Sequence, residues 1–137
     1  MPVTYKIDRK RKLVLSTALG LLTFHDASEY LGRLESDAHF SAGHGHLWDF
    51  AEVREVAFKD DEIAGLAGRP AFSASARHAF VAPSDLAYGL ARRFESYLEL
   101  AGVTRVETFR DRDEALRWLR TGNGSGRQAE LGFPSPE

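Results

Sequence analysis

The order of segments in this sequence predicts an α/β domain with a mixed sheet of about five strands and about four helices. Alternating apolar residues near the start of the chain indicate a β-hairpin. Short apolar runs, typical of buried strands, then alternate with segments of helical periodicity. The segment from Asp85 to Ala101 carries the clearest helical pattern, an apolar repeat every four residues formed by Leu86, Leu90, Phe94 and Leu98.

The N-terminal hairpin is predicted from two alternating runs that flank a charged stretch. Tyr5 and Ile7 belong to the first run, and Leu13 and Leu15 begin the second. The charged residues 8–12 between them are expected to form the turn. Gly20 is expected to interrupt the second strand.

The first helix is predicted to run from about Phe24 to Ser36. Thr23, with Asp26 three residues later, resembles an N-cap with an acidic partner in the first turn. Helical spacing predicts an inward face and a solvated face. The inward face comprises Phe24, Ala27, Leu31 and Leu34, and the solvated face Glu29, Arg33 and Glu35.

A loop is expected over residues 37–45, followed by a buried strand from His46 to Phe50. Alternation places Leu47 and Asp49 on one side of that strand, and Trp48 and Phe50 on the other. Val53 and Val56 fall in an expected connection. The acidic residues 60–62 then favour the start of a short helix, because they complement its positive N-terminus.

The second half of the chain predicts two further strands, each followed by a helix. One strand spans Arg77 to Ala82, after which Ser84 is expected to cap the long helix that Gly102 ends. The last strand is expected from Val103 to Phe109. Asp111 and Glu114 are the expected caps of the final helix, which carries Ala115, Leu116 and Leu119.

Length and composition are those of one compact domain. We expect residues 1–120 to form that domain and residues 121–137, rich in Gly, Ser and Pro, to form a flexible tail. The chain has no cysteine, which excludes disulfides, thiolate metal sites and cysteine nucleophiles. A net charge of −2 with interspersed signs argues against a nucleic-acid partner or a polybasic membrane anchor. No signal peptide is evident, so the cytoplasm is the expected location.

Three stretches, together with this order of elements, resemble the SpoIIAA-like (STAS-related) proteins of bacteria between about Thr4 and Leu119. The stretches are Leu47-Trp48-Asp49, residues 81–85 and residues 109–119. The resemblance implies a SpoIIAA-like mixed sheet. It also implies a non-enzymatic regulatory or protein-binding module that self-associates or binds another protein.

The regulatory switch of STAS antagonists is a serine or threonine at the start of the helix after the central strand. On this resemblance, Asp60 matches the family's aspartate and Asp61 takes the phosphorylated position. A carboxylate cannot accept phosphate from a serine kinase. The acidic side chains are then either a permanent mimic of phosphoserine or simply a stabilising helix start, and the second is the commoner role.

The candidate ligand or partner site consists of Asp49, Asp60, Asp61, Ser84 and Asp85. Asp49 is expected to end a buried strand near the carboxyl edge of the sheet, where α/β folds commonly bind ligands. Ser84 precedes a helix, whose N-terminus can hold an anion or activate a nucleophile. Hydrogen bonding in a turn is the simpler role for Asp49, and helix capping the simpler role for Ser84. No Gly-x-Ser-x-Gly elbow surrounds Ser84, so hydrolase chemistry gains no support.

A metal site is the alternative use of a histidine cluster in the loop before the central strand. His39, His44 and His46, followed by Asp49, are suitable ligand types, but the intervening glycines favour a solvated loop. We therefore predict no metal and no cofactor.

An interface is expected on the polar side of the long helix, with aromatic surface added late in the chain, and a solvated face is the simpler interpretation. Its residues are Tyr88, Arg92, Arg93, Glu95, Phe109 and Trp118. A second hypothesis for the function is a carrier of a small apolar, lipid-like ligand, which requires an enclosed pocket of several hundred cubic ångströms. An enzyme ranks third.

Overall fold

A computed structural model describes residues 2–121 of the 137-residue chain. An N-terminal hairpin is followed by alternating helices and strands, which gives five strands and four helices in all, as the sequence predicts. In chain order they are β1 (Val3–Asp8), β2 (Leu13–Thr23), α1 (Phe24–Glu35), β3 (Gly45–Ala57), α2 (Asp60–Ala67), β4 (His78–Val81), α3 (Asp85–Leu100), β5 (Val106–Phe109) and α4 (Arg112–Thr121).

The five strands form one mixed sheet in the order β1-β2-β3-β4-β5. β1 is antiparallel to β2, and all later neighbours are parallel. Because the parallel crossovers follow one another across the sheet with one hand, α1, α2 and α3 lie on the same face. α4 follows the last strand and packs on the opposite face. The domain therefore has three layers.

The α3 helix supplies much of the contact between the larger helical layer and the sheet. Leu90, Phe94 and Leu98 are buried along its inner side, as predicted. The Phe94 ring lies 6.0 Å from that of Phe80 on β4. Leu86 departs from the predicted stripe and is 43% exposed.

The α4 layer corrects the expected aromatic surface near the end of the chain. Trp118 is buried, and its ring lies 5.8 Å from that of Phe109, which is also buried. Both rings join Leu47 and Val81 in a smaller apolar cluster between α4 and the sheet. These aromatic side chains therefore fill a core and are not available to a partner.

Strands β2 and β3 are both longer than predicted. β2 continues through Gly20, which adopts a positive φ of 67°, and ends at Thr23. β3 includes Val53 and Val56, which the sequence placed in a connection. The pairing of the two strands shifts register around Leu19 and again after Gly20. These irregularities break the alternation by which a strand is normally recognised.

Two acidic side chains that were expected in water are instead bound within the fold. Glu35 accepts hydrogen bonds from Arg69 at 2.6 Å and from the backbone N–H of Ala71 at 3.1 Å. Glu95 is 1% exposed, and the hydroxyl of Thr108 donates to it at 2.9 Å. Helical periodicity alone missed both because their partners come from distant segments.

The ends of the last elements also differ slightly from expectation. β5 begins at Val106, three residues later than predicted, and α4 extends through Thr121. The rest of the predicted tail, residues 122–137, lies outside the described residues. Within residues 2–121, no helix has the length and apolar character needed to cross a membrane.

Replacing Phe94 by Ala tests the contact between α3 and the sheet. We expect Phe94→Ala to lower the free energy of unfolding by about 3–5 kcal/mol, because it removes a buried ring and leaves a cavity. Urea unfolding measures the change. Leu100→Ala is the control, since Leu100 is 82% exposed, and should change stability by less than about 0.5 kcal/mol. Equal effects of the two substitutions would contradict this packing.

Candidate functional site

The candidate residue Asp49 lies within β3, opposite Val81 at the end of β4. Its Oδ2 accepts a hydrogen bond from Arg112 at 2.8 Å, and its Oδ1 accepts one from the backbone N–H of Ala51 at 2.9 Å. Asp49 therefore ties the start of α4 to the sheet. The sequence favoured such a hydrogen-bonding role for Asp49, although the arginine comes from α4 and not from the turn that follows Asp49.

Ser84 and Asp85 begin α3 at the same edge of the sheet. The Ser84 Oγ accepts a hydrogen bond from the backbone N–H of Ala87 at 3.1 Å, which confirms the predicted N-cap. Asp85 pairs with Arg110 at 3.0 Å, and the Arg110 guanidinium lies 4.1 Å from the centre of the Tyr88 ring. Arg110 stands two residues before Arg112, so the junction of β5 and α4 supplies partners to both Asp85 and Asp49.

Asp60 and Asp61 lie at the start of α2, in a separate group. Asp60 pairs with Arg93 of α3 at 2.8 Å, and Arg93 also donates to the carbonyl of Phe58 at 3.3 Å. The backbone N–H of Lys59 donates to Glu62 at 2.8 Å, which closes the first turn. Asp61 is exposed. The structure thus divides the predicted site into a sheet-edge group and an α2 group.

The expected interface on α3 is largely occupied by contacts within the chain. Arg92 pairs with Glu95 at 3.2 Å, and its guanidinium lies 6.0 Å from the centre of the Tyr88 ring. Arg93 is held by Asp60, as described above. These side chains retain exposed parts, but their charged groups already have partners.

The histidine cluster of the sequence is divided between the two sides of the sheet. His46 is buried toward α1, whereas Asp49 points to the α4 side. The Nδ1 of His44 accepts a hydrogen bond from the backbone N–H of Ser41 at 2.8 Å, and His39 is exposed. No group of three potential metal ligands occurs among residues 2–121.

A buried polar cluster under α1 was missed at the sequence level. The Ser16 Oγ lies 2.7 Å from the Nε2 of His46, and the Tyr30 hydroxyl lies 3.0 Å from the same nitrogen. Ser16 and Tyr30 also hydrogen-bond to each other. The three residues come from β2, α1 and β3, so no local sequence motif identifies them as a cluster. The available signal was polar residues at inward positions of two strands.

Burial keeps the histidines of this layer neutral. It lowers the pKa of His46 well below its ordinary value, and the neighbouring His78 adds to the effect. Burial also lowers the pKa of His78, although a hydrogen bond from its Nε2 to the carbonyl of Ser73 opposes the shift. The pKa of Tyr30 is raised, chiefly by burial. The cluster is therefore an uncharged hydrogen-bond network.

A cavity of about 30 Å³ lies between the sheet and the three-helix layer. Six aromatic side chains are among the residues that line it: Tyr30, Trp48, Phe50, Phe72, Phe80 and Phe94. A space of this volume has room for water-sized groups. A carrier of a lipid-like molecule needs a pocket of several hundred cubic ångströms, so this cavity does not support the carrier hypothesis.

Two solved structures are similar in fold to this chain over most of its length. An uncharacterised DUF3478-family protein from Shewanella loihica PV-4, with a SpoIIAA-like fold, matches with a TM-score of 0.61 and 21% identity over 85% of this chain and 93% of its own. The anti-sigma factor antagonist SpoIIAA, in its unphosphorylated form, matches with a TM-score of 0.52 and 14% identity over 87% of this chain and 98% of its own. No family model matches the chain, and neither does any curated protein.

The strand order, the three helices on one face and these two likenesses define the class of fold. The chain has a SpoIIAA-like fold, as its sequence motifs predict. One of the similar structures is an uncharacterised protein and the other is an anti-sigma factor antagonist. At these levels of identity the likeness shows the fold, and function has to be argued from the residues of this chain.

The neutral histidines predict that stability falls in mild acid. The unfolded chain binds protons below about pH 6.5 that the folded chain excludes from His46 and His78, so their contribution is complete above that pH and is lost as the pH falls. Each histidine that stays neutral in the fold gives a slope of about 1.4 kcal/mol per pH unit. His46→Gln, which removes one titrating group, should reduce the slope by about that amount.

Urea unfolding at a series of values between about pH 5 and pH 7.5 measures this slope. His39→Gln is the matched control because His39 is exposed, and it should leave the slope unchanged. A slope that is the same in the wild type and in His46→Gln would show that His46 does not remain neutral in the fold.

Proposed function

We propose that the chain is a cytoplasmic, non-enzymatic regulatory module that binds another protein through the start of α2. The proposal rests on one observation: the SpoIIAA-like fold presents the exposed carboxylate of Asp61 where, on the resemblance of the sequence, STAS antagonists carry their phosphorylated residue. This surface is then permanently acidic, and binding through it does not depend on a kinase.

The arrangement around Asp61 supports a preformed contact surface. Arg93 pairs with Asp60 from α3, and Glu62 accepts a hydrogen bond from the backbone N–H of Lys59, so both neighbours of Asp61 make contacts within the chain. A fixed surface loses little conformational entropy when a partner binds. The Asp61 side chain itself remains exposed at the positive end of the helix. A partner with a basic or hydrogen-bond-donating surface would complement it.

The state of the other candidate residues favours binding over catalysis. Asp49 and Asp85 are paired with arginines, and the hydroxyl of Ser84 is engaged by a backbone N–H. A general base or nucleophile is normally activated by a neighbouring group and placed beside a substrate. The contacts of these three side chains are instead arginine pairs and a helix cap. The Ser16, Tyr30 and His46 cluster has suitable chemistry, but all three side chains are buried in the core.

Affinity purification of the tagged chain from its own host tests the partner proposal. We expect one protein to co-purify in an amount comparable to the chain and Asp61→Lys to reduce its recovery by at least about tenfold, because reversing a charge at a complementary interface costs more than 1.4 kcal/mol. Asp61→Asn should give a smaller loss. Quantitative mass spectrometry of the eluted proteins provides the measurement.

Glu99→Lys is the matched control, since Glu99 is an exposed acidic residue near the end of α3. It should leave recovery unchanged. Equal recovery with Asp61→Lys, or no protein above background, would contradict the proposal. The same eluates can be examined for small apolar molecules, and a stoichiometric lipid would favour the carrier alternative.

A further inference from the structure

Within residues 2–121, part of the sheet face on the α4 side is left uncovered. α4 packs on β3, β4 and β5, while β1 and much of β2 lie beyond it. Leu19 and Leu21 of β2 are 44% and 47% exposed. We call this surface the outer face and define it by Lys6, Thr17, Leu19, Leu21, Glu52 and Glu55.

The register of the strands shows why these side chains share one face. Lys6 pairs with Leu15, and Thr17, Leu19 and Leu21 continue the same side of β2. Glu52 is the partner of Leu19 on β3, and Glu55 is the partner of Leu21. The alternate residues of β2, among them Ala18 and Leu22, are buried on the opposite face against the helices. Leu19 and Leu21 therefore form a small apolar patch on this face.

The outer face also carries opposite charges at its two ends. The hairpin turn at the start of β2 contains Arg9, Lys10, Arg11 and Lys12, all exposed. Only Arg11 of these four is paired within the described residues, with Asp8 at 3.6 Å. At the far end of β2, Glu52 and Glu55 flank the exposed leucines, and Glu52 is paired with Arg54 at 3.1 Å. The surface is therefore basic at one end and acidic at the other.

We propose that the outer face binds a second copy of this chain in a twofold homodimer. A twofold axis that crosses the strands near Thr17 reverses the direction of β2, so the basic hairpin of each copy faces the Glu52 and Glu55 end of the other. The same operation brings Leu19 and Leu21 of each copy toward the aliphatic stems of the other copy's hairpin lysines. The charges are thus self-complementary about one axis.

This inference extends the proposed protein-binding function to self-association and does not depend on the start of α2. The sequence placed self-association on α3, whose arginines are engaged within the chain. The outer face instead combines exposed leucines with charges that a second copy can pair. Failure of the dimer would leave the Asp61 experiment unaffected, because the two surfaces are changed and measured separately.

Sedimentation equilibrium of the full chain tests the apolar part of the interface. We expect a reversible dimer and a dissociation constant raised at least about tenfold by Leu21→Glu, which places an unpaired charge in the contact. Leu100→Glu is the control, because Leu100 is the more exposed leucine, at 82%, and lies at the end of α3. It should leave the constant unchanged. Circular dichroism confirms that both variants remain folded.

A charge exchange tests the orientation of the two copies. Lys10→Glu and Glu55→Lys should each weaken the dimer about threefold or more, since each disturbs two symmetry-related contacts. The chain with both changes should recover the wild-type dissociation constant, because the two symmetry-related contacts between residues 10 and 55 are restored with their charges exchanged. A dimer joined through any other surface would show no such recovery.

Three results would overturn the proposal. A chain that stays monomeric at the highest attainable concentration would mean that residues 122–137 or a different partner cover the outer face, or that nothing does. A dimer that tolerates Leu21→Glu would place the interface elsewhere. Failure of the double charge exchange to restore binding would exclude the antiparallel arrangement.

Discussion

The contact of Phe94 with the sheet is the interaction on which the arrangement of the domain depends. Its ring lies close to Phe80 on β4, Phe72 in the preceding segment and Phe58 just before α2. One side chain of α3 therefore joins the sheet to the connections on either side of α2. Because α1 and α2 share the face of α3, α4 is the only helix on the other face among residues 2–121, and it does not extend over β1 and much of β2.

Local signals in the sequence were sufficient for most of the helices. The Thr23 hydroxyl accepts a hydrogen bond from the backbone N–H of Asp26, and Ser84 caps α3, as their spacing predicts. The predicted cap of α4 is also present, because Asp111 accepts a hydrogen bond from the backbone N–H of Glu114. Such caps involve residues only three apart, so a single sequence contains all the information needed to find them.

Features that depend on distant partners could not be predicted in this way. The sequence predicts that β3 ends at Phe50, because Glu52, Arg54 and Glu55 are typical of a polar connection. In the structure, pairing with the neighbouring β2 makes that segment part of the strand. For the same reason, the sequence identified only part of the candidate site. The acidic residues were identified from local pattern, but their arginine partners come from other elements, 25 to 63 residues away along the chain.

The two tryptophans of the chain lie in different layers of the fold. Trp48 stacks on His46 at 3.8 Å between the sheet and the three helices, whereas Trp118 of α4 lies against Phe109 on the other side of the sheet. Indole emission responds to the polarity and the charge of its surroundings. A chain that retains one tryptophan thus carries a built-in fluorescent reporter for a single side of the sheet, so loosening of α4 and loosening of the larger helical layer give separate optical signals.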